Sequence, residues 1–242
     1  MLRAFFLMAV PCVCGSDVQR RERKPLPTPP PVTVAGVQIG FTRDQDTGRI
    51  NVHFRRGFGR DHVTGEFHPD HVAVLRQHKP LGTVFFTVGR LRVTADELKL
   101  LRDVPMTGLV LWDVPVTDKD LEALTGHAHL ESISLSRTKV TDACVETFGS
   151  WPKLERISID YGEITDQAVV KIAALRQLKN VSFFRCPKIT DDGVIQLAQL
   201  VSLERLFLND NEKLTRRIIH PLSGLKNLNR LELDSIKITA GR

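Results

Sequence analysis

The chain has 242 residues, of which 42% are apolar (AVILMFWYC) and 26% charged, so it is long enough to bury a continuous core. No apolar run reaches the roughly 18 residues of a membrane span, and four cysteines (12, 14, 144 and 186) are too few for a disulfide-built scaffold. The net charge of +6 is not a nucleic-acid footprint: residues 1–66 hold 10 Lys/Arg against 6 Asp/Glu, and residues 67–242 hold 24 against 22, so the bulk of the chain is nearly neutral.

The start, Met1-Leu2-Arg3 and then an uncharged stretch from Ala4 to Ser16, has the form of a secretory signal with small residues Val13 and Gly15 before the cleavage point. Residues 1–15 are therefore predicted to be a signal peptide and the protein to be exported, whether periplasmic, envelope-bound or secreted. Retention of Met1 to Ser16 would make it cytoplasmic instead. Residues 16–34 read as a linker: Arg20, Arg21, Arg23 and Lys24 are followed by five of the 13 prolines between Pro25 and Pro31. Residues 35–66 read as a β-hairpin cap, because Val37, Ile39 and Phe41 alternate with polar residues, as do Ile50, Val52 and Phe54, around Asp46-Thr47-Gly48.

From residue 67 onward the chain repeats itself. Aligned on an apolar-Thr-Asp start, repeats begin at Phe67, Val93, Val116, Val140, Ile164, Ile189 and Leu214, with a stub at Ile238, at spacings of 26, 23, 24, 24, 25, 25 and 24; the second position is Thr in seven of the eight, His68 being the exception. In each unit a Thr such as Thr117 or Thr141 is placed to cap a helix, with Asp118 or Asp142 in the first turn. Helix-spaced apolar residues follow, for example Val169 and Ile172, and then an L-x-x-L-x-L strand such as Leu130, Ile133, Leu135 or Leu203, Leu206, Leu208. One unit cannot bury its apolar face alone, but stacked units can.

This pattern resembles the leucine-rich repeat proteins, and more narrowly their cysteine-containing subclass. Leu178 to Leu200, LKNVSFFRCPKITDDGVIQLAQL, matches the subclass unit almost throughout. The resemblance covers residues 67–242. It implies an α/β solenoid, a horseshoe with a parallel concave β-sheet and convex helices, and it implies a binding surface. Cys186 and Asn211 fill the Cys/Asn position, whereas Val114, Thr138, Gly162 and Ile236 stand there elsewhere, so the loop ladder is expected to be incomplete. The last unit departs further, with Arg216 in place of Asp and Pro221 in the expected helix, which predicts a broken helix. An uncovered final strand would favour end-to-end self-association.

Strand residues that alternate with the buried ones should line the concave face. Among them Trp112, Phe184 and Phe207 are large apolar groups predicted to be exposed, Arg156, Arg205 and Arg230 share one column, and Ser134 and Asp160 lie between. Aromatics beside arginines have the composition of binding anchors. The expected partner is a protein, with a glycan as the alternative, and no cofactor or catalytic residue is expected.

Two rival readings stand beside this one. His62, His68, His71 and His78 fall within 17 residues beside Asp61 and Asp70 and could form a zinc site of a hydrolase, but His68 equally suits a helix start and His71 a solvent-facing position. An intracellular adaptor role like that of F-box leucine-rich repeat proteins is the other reading, although residues 17–66 hold no F-box-like bundle. Motifs for serine hydrolases, zinc proteases, phosphate loops and C-x-x-C redox sites are absent from the sequence.

Overall fold

The computed structural model describes residues 27–34, 37–56, 69–78, 80–87 and 93–234. The expected signal peptide, the basic part of the linker, the first repeat start at Phe67 and the stub at Ile238 lie outside the described residues. Ten strands form one sheet in strict chain order: β1 (Val32–Val34), β2 (Val37–Arg43), β3 (Ile50–Arg56), β4 (Leu81–Thr87), β5 (Gly108–Trp112), β6 (Ser132–Ser136), β7 (Arg156–Asp160), β8 (Asn180–Phe184), β9 (Arg205–Phe207) and β10 (Arg230–Glu232). The first three pair antiparallel, and every pair from β3–β4 to β9–β10 is parallel.

The hairpin forms as its alternation dictates. Ile39 lies opposite Phe54 and Phe41 opposite Val52, which puts these apolar residues on one buried face. Its turn is closed by Asp44, whose Oδ1 accepts from the backbone N–H groups of Asp46 and Thr47, and by Gly48 at φ 69°. The Thr47 backbone bond leads the interactions that hold the Asp44 carboxyl below its ordinary pKa. Through β3 the hairpin continues the repeat sheet in parallel, covering the edge that β4 would otherwise present. The end of the proline-rich segment is not a plain linker: Val32–Val34 pairs with β2, since Pro31 ends the run of residues that cannot donate to a ladder.

Among the described residues seven helices lie on the other side: α1 (Pro69–Gln77), α2 (Ala95–Lys99), α3 (Asp118–Leu121), α4 (Cys144–Gly149), α5 (Asp166–Ala173), α6 (Asp191–Gln196) and α7 (Ile219–Leu222). Between sheet and helices runs one continuous core. Leu130, Ile133 and Leu135 of one unit stack on Leu154, Ile157 and Ile159 of the next, all buried. Trp151 is buried in this core and donates its indole N–H to the Leu124 carbonyl at 2.7 Å, so its polar atom is satisfied within an apolar layer. In the last described layer Leu228, Leu231 and Leu233 are only half-buried.

The repeated Thr caps as its position predicts in most units: Thr117 accepts from the Asp120 N–H, Thr165 from Gln167 and Thr190 from Asp192. Thr141 is the departure, since α4 begins only at Cys144 and its cap position, Ala143, has no side chain to accept a bond. The Asp beside it does more than favour its own helix start. Each carboxylate reaches into the next repeat and takes both the backbone N–H and the hydroxyl of the next Thr. Asp118 holds Thr141 at 2.8 and 2.7 Å, Asp142 holds Thr165 at 2.7 and 2.6 Å, Asp166 holds Thr190 at 2.7 and 2.6 Å, and Asp191 holds Thr215 at 2.7 and 2.5 Å. These are charge-assisted bonds that tie consecutive helices together. In the unit that begins at Leu214, Arg216 stands at the carboxylate's position. Pro221 in that unit does not abolish the helix. A 3-10 turn over Arg216–Ile218 comes first, and Pro221 falls in the first turn of α7, where its missing N–H is tolerated.

The same ladder explains a glycine inside α6. A Cβ on Gly193 would stand 2.3 Å from Asp166 Oδ1. Gly193→Ala should therefore destabilise the protein by about 1 kcal/mol, the displaced rung outweighing the better helix propensity of Ala. Urea unfolding measures it, and an unchanged or raised midpoint would show that the carboxylate yields without loss.

Candidate functional site

The register of the parallel strands places the concave residues in columns. Gly108, Ser132, Arg156, Asn180, Arg205 and Arg230 form the column at the strand starts. Val110, Ser134, Ser158, Ser182, Phe207 and Glu232 form the central one, and Trp112, Ser136, Asp160 and Phe184 the one at the strand ends. Serines thus floor the face over β6 to β8, flanked by Trp112 on β5 and by Phe184 and Phe207 on β8 and β9. At about 4.8 Å per strand, Trp112 and Phe184 stand about 14 Å apart. Helices with side chains are roughly 10–12 Å across, so the floor has room for one, or for a loop.

The predicted anchors fall into different states. Trp112 is exposed by 45% and makes no hydrogen bond, ring contact or ion pair among the described residues. Phe184 and Phe207 are half-buried rather than open. Phe184 packs edge-on against Tyr161 at 5.3 Å, and Arg230 covers Phe207 at 5.3 Å. The arginine column is likewise divided. Arg156 pairs with Glu131 at 3.3 Å and Glu155 at 3.8 Å, and Arg230 with Glu232 at 2.5 Å. Arg205 has no ion pair among the described residues, and Asn180 Oδ1 beside it is buried without a hydrogen-bond partner. The Glu131 carboxylate also takes both Arg49 guanidinium nitrogens of the hairpin, at 3.2 and 3.3 Å, which fixes the cap to the third repeat strand. Burial raises the Glu131 pKa, but the Arg49 and Arg156 guanidiniums outweigh it and hold the group low.

Asp160 differs from these paired carboxylates. The Ser158 hydroxyl donates to its Oδ1 at 3.1 Å, and no cation among the described residues pairs with it. Burial raises its pKa to about 6, with the Ser158 bond acting weakly the other way.

A second set of side chains has no counterpart among the sequence-predicted sites. The residue that follows each strand from β5 to β8, and its equivalent three residues past the shorter β9, has a positive φ without being glycine: Asp113 (57°), Arg137 (52°), Tyr161 (55°), Arg185 (52°) and Asp210 (57°). Each N–H donates to a carbonyl one repeat on, from Asp113 to Ser136 at 2.9 Å through Asp210 to Asp234 at 2.9 Å. The left-handed conformation is unfavourable for side-chain-bearing residues. Here the stacked hydrogen bonds hold it five times over, and it turns five side chains out along the sheet edge. Arg137 lies over the Tyr161 ring at 4.7 Å and Arg185 at 5.5 Å, with Arg185 also bonded to Asp210 at 2.9 Å.

Inside the same loops Asn211 accepts from the Cys186 N–H at 2.8 Å and donates to the Phe183 and Leu208 carbonyls at 2.8 and 2.9 Å, while the Cys186 thiol donates to the Ile159 carbonyl at 3.3 Å. Parallel strands in register, a turn ladder one repeat long and Asn or Cys side chains closing the loops define the architecture. This is a leucine-rich repeat fold. No protein-family model matches the chain, and no curated protein matches it in sequence. Among solved structures the leucine-rich repeat chain is similar to internalin C2 of Listeria monocytogenes, with 21% identity, a TM-score of 0.47, and coverage of 69% of this chain and 76% of that one. A second internalin of that bacterium gives 20% identity and a TM-score of 0.39 over 66% and 56% of the two chains. The tropomodulin C-terminal domain of Caenorhabditis elegans gives 14% and 0.43 over 55% and 89%.

The remaining candidates separate cleanly. His71 is buried edge-on to Phe54 at 5.7 Å instead of facing solvent, because it lies on the inner face of α1. His78 packs against Phe41 at 4.5 Å, and His62 and His68 lie outside the described residues. Among the described residues no three His, Cys, Asp or Glu side chains gather as metal ligands. Cys144 and Cys186 are buried and unpaired, and burial pushes the Cys186 thiol up to about 12. No helix among the described residues is long and apolar enough to cross a membrane.

Proposed function

We propose that this leucine-rich repeat protein is a non-catalytic binding module that captures a protein partner on its concave face. The observation that carries the reading is the serine floor over β6 to β8 with an open Trp112 at one side and an unpaired Arg205 toward the other. Large aromatic and arginine side chains around a small-residue floor supply anchors without steric obstruction. The residues that would serve are Trp112, Ser134, Asp160, Phe184, Arg205 and Phe207, with Arg156 and Arg230 as paired charges at the border. The signal-like start at Met1–Ser16 supports export and hence an extracytoplasmic partner.

A crosslinked pull-down from the native source, comparing the wild type with the Trp112→Ala/Phe184→Ala/Arg205→Ala triple variant, tests this. A protein retained by the wild type and lost from the triple variant, at equal urea midpoints, is the expected result. Equal retention by both proteins, or no retained protein, overturns the assignment to this face.

A further inference from the structure

We propose that the concave face receives a basic side chain of its partner, an arginine in preference to a lysine, over Ser136 and between the Trp112 ring and the Asp160 carboxylate. This rests on the concave face being the partner-binding surface. Trp112, Ser136 and Asp160 occupy one level on three successive strands. Two strand spacings set the outer residues about 10 Å apart, with only a hydroxymethyl group between them. A guanidinium placed there lies within the roughly 6 Å that a cation–π contact requires of the ring and can still donate to the carboxylate.

The charges around the gap favour a cation from outside. Among the described residues Asp160 has one hydrogen bond, from its neighbour Ser158, and no ion pair. Asp113, which follows Trp112, is exposed and has no ion pair among the described residues. The arginines described on the following turns are turned elsewhere: Arg137 lies on the Tyr161 ring, and Arg185 is held by Asp210 and the Tyr161 hydroxyl. The Cys186 thiol, within electrostatic reach of Asp160 and bonded to the Ile159 carbonyl, is neutral because burial disfavours its ionisation. A desolvated carboxylate next to an open indole is thus without its counter-ion, and arginine supplies both the charge and a flat face to stack. The exposed Trp112 is also the one tryptophan that can report it, since Trp151 is buried and bonded to the Leu124 carbonyl.

The test is a titration of the full protein with N-acetyl-arginine amide, and with the uncharged isostere N-acetyl-citrulline amide, followed by the two indole N–H resonances. The arginine probe should move the Trp112 signal with saturation in the millimolar range, leave Trp151 unmoved, and bind Asp160→Asn about two- to fivefold more weakly, a ratio typical of losing one partly exposed ion pair. Citrulline binding as tightly as arginine, unchanged binding by Asp160→Asn, or no shift at Trp112 in the wild type overturns the proposal. The two readings fail separately. Partner capture that the triple alanine variant abolishes, with no response to the arginine probe, removes the arginine site and leaves the binding face.

Discussion

Asp166→Ala should lower the stability of the protein by about 3 kcal/mol, the largest loss expected from any single surface-facing substitution in the repeats. The carboxylate receives two charge-assisted hydrogen bonds from Thr190, at 2.7 and 2.6 Å. Alanine removes both and leaves the Thr190 N–H, at the start of α6, without its acceptor. The damage falls on an interface between repeats, and solenoid stability is built from such nearest-neighbour terms. Unfolding should therefore lose cooperativity, with the repeats C-terminal to Asp166 opening first. Asp192→Ala is the matched control, because Asp192 is exposed and meets only Arg217, at 3.4 Å. It should change stability by less than about 0.5 kcal/mol. Equal urea midpoints for the two variants would show that the ladder contributes nothing beyond local capping.

Asp160→Asn should raise stability at pH 7 by about 1–2 kcal/mol while weakening arginine binding. The folded carboxyl titrates near 6, against an ordinary 3.8. The folded state therefore binds the proton more tightly than the unfolded chain, and charging the group opposes folding. The sign follows: this contribution is most favourable below about pH 4, fades as pH rises toward 6, and is fully unfavourable at pH 7. The displacement sets a ceiling of about 3 kcal/mol, which water at the open face reduces. Asparagine keeps an acceptor for the Ser158 hydroxyl without the charge. The stability gain of the variant should vanish by about pH 4. Burial depresses the His127 pKa, against the bond between its Nε2 and the Val104 carbonyl at 3.0 Å, but this group is common to both proteins and cancels in the difference. A gain that is absent at pH 7, or independent of pH, would contradict the picture of a desolvated, unpaired carboxylate. A group that weakens the fold yet stands on the concave face has the character of a functional residue.

The repeat architecture was legible because a 24-residue recurrence of apolar, Thr and strand positions has one economical solution, the stacking of layers. Leu130, Ile133 and Leu135 could be assigned to the core from spacing alone, and Trp112 to the concave face. The hairpin followed from alternation around Asp46-Thr47-Gly48. The second half of each Asp rung was not legible. Asp118 and Thr141 are 23 residues apart, and only the completed stack makes them neighbours. Arg137, Tyr161 and Arg185 escaped notice for another reason: no glycine or asparagine marks their left-handed turns, and their sole signal is a fixed place after each strand.

The sequence by itself determined the fold class, the inward and outward alternation of every repeat strand and the columns of the concave face, because all three follow from local periodicity. Only the tertiary structure decided which of those outward residues are open. Among the described residues it paired Arg156 and Arg230 with carboxylates, packed Phe184 and Phe207 against Tyr161 and Arg230, left the Trp112 ring exposed, and gave Arg205 and Asp160 no ion pair. Charge pairing and desolvation depend on side chains brought together from different repeats, and no pattern within one repeat contains that information.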